Sequence, residues 1–302
     1  MLTIFAIPKP FHGHQGVIQA NAIGSWSRLN TKCEVILFGD DSGTPEISKK
    51  FQLRHEPDIR RNEFGTPLLG PIFARAQEIA AHDLLCYVNC DILLLQCFSE
   101  AVLRVARAFP KFLMVGRRWN TPVTQPIEFQ RPDWESQIRA FARHSGRQDL
   151  PYAIDYFVFP RGLYGDVPPF AVGRFYWDHW LAWKPRSMRV PVVDASAAVL
   201  AIHQEHGFPG HPARRRDERT DAEAKRNRTL AGSRWHLYTI EHSSHRLLGT
   251  GIAKQRGSWH VPVTSLLGIY SRKLLYWLLT STFYARRTVG LYRRAASSNS
   301  AD

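Results

Sequence analysis

Residues Cys86-Tyr87-Val88-Asn89-Cys90-Asp91-Ile92-Leu93-Leu94 decide the fold. They lie inside the apolar run 84–95, the strongest strand pattern in the chain. Two polar residues, Asn89 and Asp91, interrupt that run. A carboxylate buried inside a sheet is costly unless it is paired or bound to a metal. In parallel sheets, ligands collect at the carboxyl ends of the strands. Asp91 at such an end suits a hard divalent cation, which prefers oxygen ligands and keeps waters and phosphate oxygens as partners. The plainer alternative is a carboxylate that caps the next turn.

Outward from this run, strand and helix patterns alternate. Residues 2–7 are apolar and stop at Pro8-Lys9-Pro10, and 17–29 place Val17, Ile18, Ala22, Trp26 and Leu29 at helical spacing. Residues 34–38 read as a strand closed by Gly39-Asp40-Asp41-Ser42-Gly43, a strong turn signal, and 45–51 as a short helix. The polar loop 62–67 precedes a helix over 68–81, and 98–109 and 112–116 give the next helix and strand. Such alternation predicts an α/β fold, with a mostly parallel sheet flanked by helices on both faces. In the less regular second half, 133–144 reads as a helix, 156–159 and 190–193 as short strands, and 211–232 as an exposed loop or helix.

The bulk numbers bound the function. The chain has 302 residues, 44% hydrophobic, with a formal net charge of +14 at pH 7. That is enough for a sizeable core, and the positive balance fits nucleic acid, an anionic surface or phosphorylated substrates. No nucleic-acid-binding module is visible, and the basic residues of the first half form no single helical stripe. Cys33, Cys86, Cys90 and Cys97 lack zinc-type spacing and read as reduced thiols of a cytoplasmic protein. The N-terminus lacks the charged region of a signal peptide. No uncharged apolar run reaches the ~18 residues of a spanning helix; 266–285 comes closest but carries Arg272 and Lys273. Residues 261–294 mix apolar and basic side chains in a helix-like pattern, which suits peripheral attachment to the inner face of a membrane. The tail 295–302 is expected to be disordered.

Two further clusters carry chemistry. In Gly173-Arg174-Phe175-Tyr176-Trp177-Asp178-His179-Trp180, aromatic rings surround one carboxylate. Sugars stack on aromatic faces, and a carboxylate beside them can take a hydroxyl proton. Asp178 is the candidate base, Asp155 the other candidate, and Tyr176, Trp177 and His179 are candidate acceptor contacts. A capping Asp in an aromatic-rich helix is the alternative. In Ala201-Ile202-His203-Gln204-Glu205-His206, the spacing makes no convincing zinc pair, and His206 reads as a surface histidine.

The segment around Asn89 and Asp91 resembles the Asp-x-Asp region of GT-A-type glycosyltransferases, in particular the bacterial family 2-like enzymes, with Asn89 where the first carboxylate usually stands. The resemblance runs in order through residues 34–41, 62–67, 173–180, 201–207 and 223–232, where Glu223 and Asn227 are the matching polar positions. It implies a GT-A-like fold with a catalytic domain over 1–232, whose halves 1–120 and 121–232 bind donor and acceptor. A basic helical extension over 233–294 would follow. It further implies a nucleotide-sugar donor held by Pro8, Asp40, Asp41, Asn62, Glu63, Asn89 and Asp91, and Mn²⁺ or Mg²⁺ on Asp91 and His203. For Asp40 and Asp41, simple turn chemistry is the alternative. The acceptor would be a glycan or its lipid-linked precursor, in cell-surface glycan or polysaccharide synthesis. A non-catalytic GT-A-like scaffold remains open because of Asn89. A nucleotidyltransferase would need a glycine-rich phosphate loop where Ile7-Pro8-Lys9-Pro10-Phe11 stands, and a dehydrogenase would need G-x-G-x-x-G.

Overall fold

The computed structural model describes residues 2–31, 33–206, 221–233 and 236–255. These belong to one compact unit, Met1–Arg256. The remainder of the expected C-terminal extension, 256–294, and the tail 295–302 lie outside the described residues, as does 207–220.

The chain order is β1 (Leu2–Ala6), α1 (Gly13–Trp26), β2 (Cys33–Phe38), α2 (Thr44–Phe51), β3 (Arg54–Glu56), α3 (Leu69–Ile79), β4 (Leu84–Val88) and β5 (Ile92–Leu93). Then come α4 (Gln96–Ala108), β6 (Leu113–Val115), β7 (Arg118–Thr121), α5 (Trp134–Ser145), β8 (Arg147–Gln148) and β9 (Tyr156–Pro160). The described chain continues with α6 (Trp177–Ser187), β10 (Val192–Asp194), β11 (Ala201–Gln204), α7 (Ala222–Ala231), β12 (His245–Leu248) and β13 (Gly251–Lys254).

Among the described residues the main sheet runs β13-β12-β10-β6-β9-β4-β1-β2-β3, and a smaller sheet runs β5-β11-β7-β8. In the main sheet β1, β2, β3 and β4 are parallel neighbours, and so are β6, β10 and β12. β9 lies between the two groups, antiparallel to both β4 and β6. Side chains alternate across the sheet, as a strand period of two requires. Ile4, Cys86, Val88, Tyr156 and Val158 pack on one face, with Ala22, Trp26, Phe98 and Val102 from α1 and α4. Phe5, Leu85, Tyr87, Phe157 and Phe159 pack on the other, with Phe73, Ala76, Trp180 and Leu181 from α3 and α6. The small sheet has its own core of Leu93, Ile138, Ala142 and Ile202, built with α5.

Four expectations change. The run 84–95 is two strands: β4 ends at Val88, and β5 pairs antiparallel with β11 in the small sheet. Apolar patterning reports burial but not a change of partner. Helix α1 starts one turn before the apolar spacing expected over 17–29, because a first turn faces outward and needs no core residue. Residues 245–254 are not helical. β12 and β13 form a hairpin around Gly249-Thr250, and β12 extends the main sheet beside β10. Helix α7 falls where a loop or exposed helix was expected, but Ala224, Asn227 and Ala231 are buried. Among the described residues no helix is long and apolar enough to cross a membrane.

Candidate active site

The parallel strands β1, β2 and β4 end on one edge of the main sheet, which places Pro8, Asp40 and Asn89 along that edge. The chain leaves β4, turns through Asn89, and enters the small sheet, where β5 pairs with β11. That pairing sets His203 opposite Ile92, and Gln204 N–H donates to Asp91 O at 3.1 Å. Asp91 and His203, far apart in sequence, thus come together.

Asp91 Oδ2 lies 3.6 Å from His203 Nε2 and 3.2 Å from His206 Nε2. One ligand atom from each of the three residues falls within 4.8 Å of the others. Burial works to raise the Asp91 carboxyl, but His203 and His206 outweigh it and hold it well below the ordinary value. Among the described residues, buried Asp91 Oδ1 has no hydrogen-bond partner. An orphaned buried carboxylate oxygen is costly, and two imidazole nitrogens aimed at its twin complete a donor set suited to a divalent cation. Ligand atoms about 2.1 Å from an octahedral cation stand roughly 3 Å apart, close to the spacing here. His206, expected at the surface, is exposed, yet it converges on the same oxygen as buried His203.

A polar chain runs inward from this cluster. His203 Nδ1 lies 2.9 Å from Asn120 Oδ1, and Asn120 Nδ2 donates to Asp149 Oδ2 at 2.9 Å. Arg118 Nε donates to the same Asp149 oxygen at 3.0 Å, and Arg118 also pairs with Asp155 at 3.1 Å. Asn89 closes the chain: its amide donates to Asp155 Oδ1 at 2.7 Å. Asn89 was expected on the donor side; its amide instead holds Asp155, because the turn after β4 crosses the start of β9. Asp155, the alternative base, has both oxygens engaged by Arg118.

Asp178 stands in the first turn of α6. Tyr176, just before the helix, has φ +87, a left-handed conformation that a non-glycine residue holds only when its surroundings enforce it. Burial pushes the Asp178 carboxyl up; His179 opposes this, and the charge of Asp155 adds to it. Burial pushes the Tyr87 hydroxyl up, and the charges of Cys90, Asp91, Asp155 and Asp178 add to that rise. The stacking role expected of Trp177 and Tyr176 does not fit. Both rings are buried, and Trp177 packs edge-on against Tyr87 at 5.5 Å. The aromatic ring offered to solvent is Phe175, 46% exposed. His179 Nδ1 is engaged by the Tyr238 carbonyl at 2.8 Å.

The remaining donor-side candidates are held by protein groups. Asp40 and Asp41 share Arg61, each at 2.9 Å. Asn62 Oδ1 accepts from the N–H groups of Phe64 and Thr66, while its amide donates to Glu223 at 2.7 Å. Glu63 pairs with Arg226 at 3.0 Å. Glu223 and Asn227 clamp neighbouring loops onto α7: Glu223 binds Arg174 and Asn62, and Asn227 bonds the backbone of Ala171 and Phe175. Sequence reasoning missed His206, Asn120, Asp149 and Arg118. The available signal was the alternation Arg118-Trp119-Asn120-Thr121, which puts two polar residues on one face of a strand.

No protein-family model matches the chain, and no curated protein matches it. Solved structures similar to it include S. aureus TarS 1-349 in complex with UDP, 15% identical, covering 40% of this chain and 36% of that one with a TM-score of 0.32. The mannosyltransferase PcManGT from Pyrobaculum calidifontis, in complex with GDP-Man and Mn²⁺, is 15% identical over 67% of this chain and 56% of that one, with a TM-score of 0.40. Glucosyl-3-phosphoglycerate synthase from Mycobacterium tuberculosis, in complex with Mg²⁺ and UDP, is 12% identical over 76% of this chain and 77% of that one, with a TM-score of 0.45. The chain spans only about a third of the length of the first of these.

Proposed function

We propose that this chain is a metal-dependent glycosyltransferase of the GT-A type, which moves a sugar from a nucleoside-diphosphate sugar to a hydroxyl acceptor. The observation that carries this reading is the convergence of His203 and His206 on Asp91, whose other oxygen is buried without a partner among the described residues, at the carboxyl edge of a parallel sheet. Asp91, His203 and His206 would hold the cation. When bound, Mn²⁺ or Mg²⁺ supplies Lewis-acid neutralisation of the leaving diphosphate. Asp178 takes the acceptor proton. Burial pushes its carboxyl up, which makes it a stronger proton acceptor than an ordinary carboxylate. Asp155 orients rather than reacts, because Arg118 and Asn89 occupy its oxygens. The acceptor is a glycan or lipid-linked precursor in cell-surface glycan or polysaccharide synthesis, and the basic segment 261–294, outside the described residues, attaches the protein to the inner face of a membrane.

The test is a panel of UDP- and GDP-sugars with and without Mn²⁺, reading released nucleoside diphosphate. Release that needs Mn²⁺ and stops with a chelator is expected. Donor binding without turnover under any acceptor would favour the scaffold reading, in which the same site binds but does not transfer.

A further inference from the structure

The parallel pairing of β7 and β11 sets Asn120 directly beside His203. The amide of Asn120 reaches two groups, His203 Nδ1 at 2.9 Å and Asp149 Oδ2 at 2.9 Å. Chemistry decides which end of the amide faces which. Asp149 Oδ2 already accepts from Arg118 Nε, and Asp149 Oδ1 accepts from the Leu150 N–H at 2.7 Å. Burial pushes the Asp149 carboxyl up, but Arg118, Asn120 and Leu150 more than offset it and keep it ionised. An ionised carboxylate only accepts. The Asn120 NH₂ must therefore point to Asp149, and its oxygen to His203. Against an amide oxygen, His203 Nδ1 must be the donor, so in the neutral ring Nε2 carries the lone pair. That lone pair faces Asp91 Oδ2. In the neutral ring two acceptors cannot bond to one another; either a proton on Nε2, giving the imidazolium, or a cation between them satisfies both.

We propose that Asn120, clamped by the Arg118–Asp149 ion pair, is a positioning residue that fixes His203 in its Nδ1–H tautomer and so presents Nε2 to the cation. His203 and Asp149 are themselves buried, which leaves water little access to substitute for the amide. The same Arg118 guanidinium holds Asp155, so one cation braces both the metal side and the acceptor side of the cluster. The consequence for metal affinity rests on the cation reading of Asp91, His203 and His206; the tautomer is a property of the metal-free chain.

Two measurements separate these layers. In metal-free, ¹⁵N-histidine-labelled protein at pH 8, two-bond ¹H–¹⁵N spectra read the tautomer of each ring, with the His203 signal assigned by its loss in His203→Gln. Calorimetry with Mn²⁺ alone reads affinity. The wild-type ring should be Nδ1–H. Asn120→Ala should release it toward the Nε2–H form, which donates to Asp91, and weaken Mn²⁺ binding about 10–100-fold, the usual effect of losing the partner behind a ligating histidine. Asn120→Asp leaves an acceptor facing His203 Nδ1, so the ring should stay Nδ1–H. The exchanged pair Asn120→Asp with Asp149→Asn keeps that acceptor and the total charge, so it should retain both readouts. A wild-type Nε2–H ring overturns the proposal, as does an Asn120→Ala protein with unchanged tautomer and affinity. If Asn120→Ala fails to fold, the exchanged pair decides: an Nε2–H ring there overturns it. Wild-type protein that shows the Nδ1–H ring but ignores Mn²⁺ supports the positioning role and removes the cation reading instead.

Discussion

Asn89 and Asp155 hold each other twice, through the Asn89 N–H to the Asp155 carbonyl at 3.0 Å and the Asn89 amide to the Asp155 carboxylate at 2.7 Å. The amide where an acidic residue was expected is therefore a fitted partner. Asn89→Asp would replace a donor with a second carboxylate. Losing that bond in a partly buried place should cost about 1–3 kcal/mol in urea unfolding at pH 8. Two such carboxylates share a proton, so one titrates at raised pH. The deficit should shrink at pH 5, where that proton is bound. Mn²⁺ affinity should not improve; a gain would mean that residue 89 faces the metal after all.

His206→Ala separates a ligand from a surface histidine. The side chain is exposed, so stability should change by less than about 0.5 kcal/mol. Mn²⁺ binding by calorimetry should nevertheless drop at least tenfold, as it should for Asp91→Ala. Full Mn²⁺ affinity in His206→Ala would return that residue to the surface role read from sequence. Mn²⁺ should also bind more tightly than Mg²⁺, since two imidazoles suit the less oxygen-demanding ion.

Asp178→Asn should slow transfer by about 10²–10⁴ with donor affinity unchanged. Its folded carboxyl is raised, mainly by burial. The folded state therefore holds the proton more tightly than the unfolded one, and stability falls as pH rises from the unfolded pKa through the folded one. Above that window the ionised group burdens the fold. Asp178→Asn should thus melt at the same or a higher temperature at pH 7, while losing activity. A lower melting temperature would mark the carboxylate as structural.

Glu223→Ala leaves the Arg174 guanidinium with Asp221 at 3.6 Å and Thr66 at 3.2 Å, and frees the Asn62 amide. Losing these hydrogen bonds in a buried place should cost about 1–3 kcal/mol. Thermal unfolding should show the loss, and protease should cut near residues 62–66 first. Glu223→Gln should lose less than half as much.

For residues 261–294, outside the described part, vesicle flotation is the check. Full-length protein should float with anionic vesicles and detach in high salt, since each basic residue near such a surface adds about 1 kcal/mol. Floating that ignores lipid charge would argue against an electrostatic attachment.

Much of this was legible in the chain. Alternation of apolar runs gives β1, α1, β2, α3, β4 and α4, because each buries one face against the same sheet. Asp91 stood out as a carboxylate inside an apolar run. His203 was legible only by resemblance, since nothing local ties it to a residue 112 positions earlier; strand pairing does that. Asn120 showed only as one of two polar residues on a strand face, and Asp149 not at all, for the same reason: their role arises where β7, β8 and β11 meet. Trp177 misled because composition favours sugar stacking, whereas the fold spends that ring on packing against Tyr87.

The place of β9 bears on how the molecule is made. Strands β1 to β4 can assemble as they leave the ribosome, but the edge of β4 stays open until residues 156–160 arrive to cover it, and β6 waits for the same strand. An uncovered apolar edge templates pairing with other chains. A nascent chain halted between β4 and β9 would thus present that open edge to other chains. Residues 89–160 must therefore all be made before β4 gains its second neighbour.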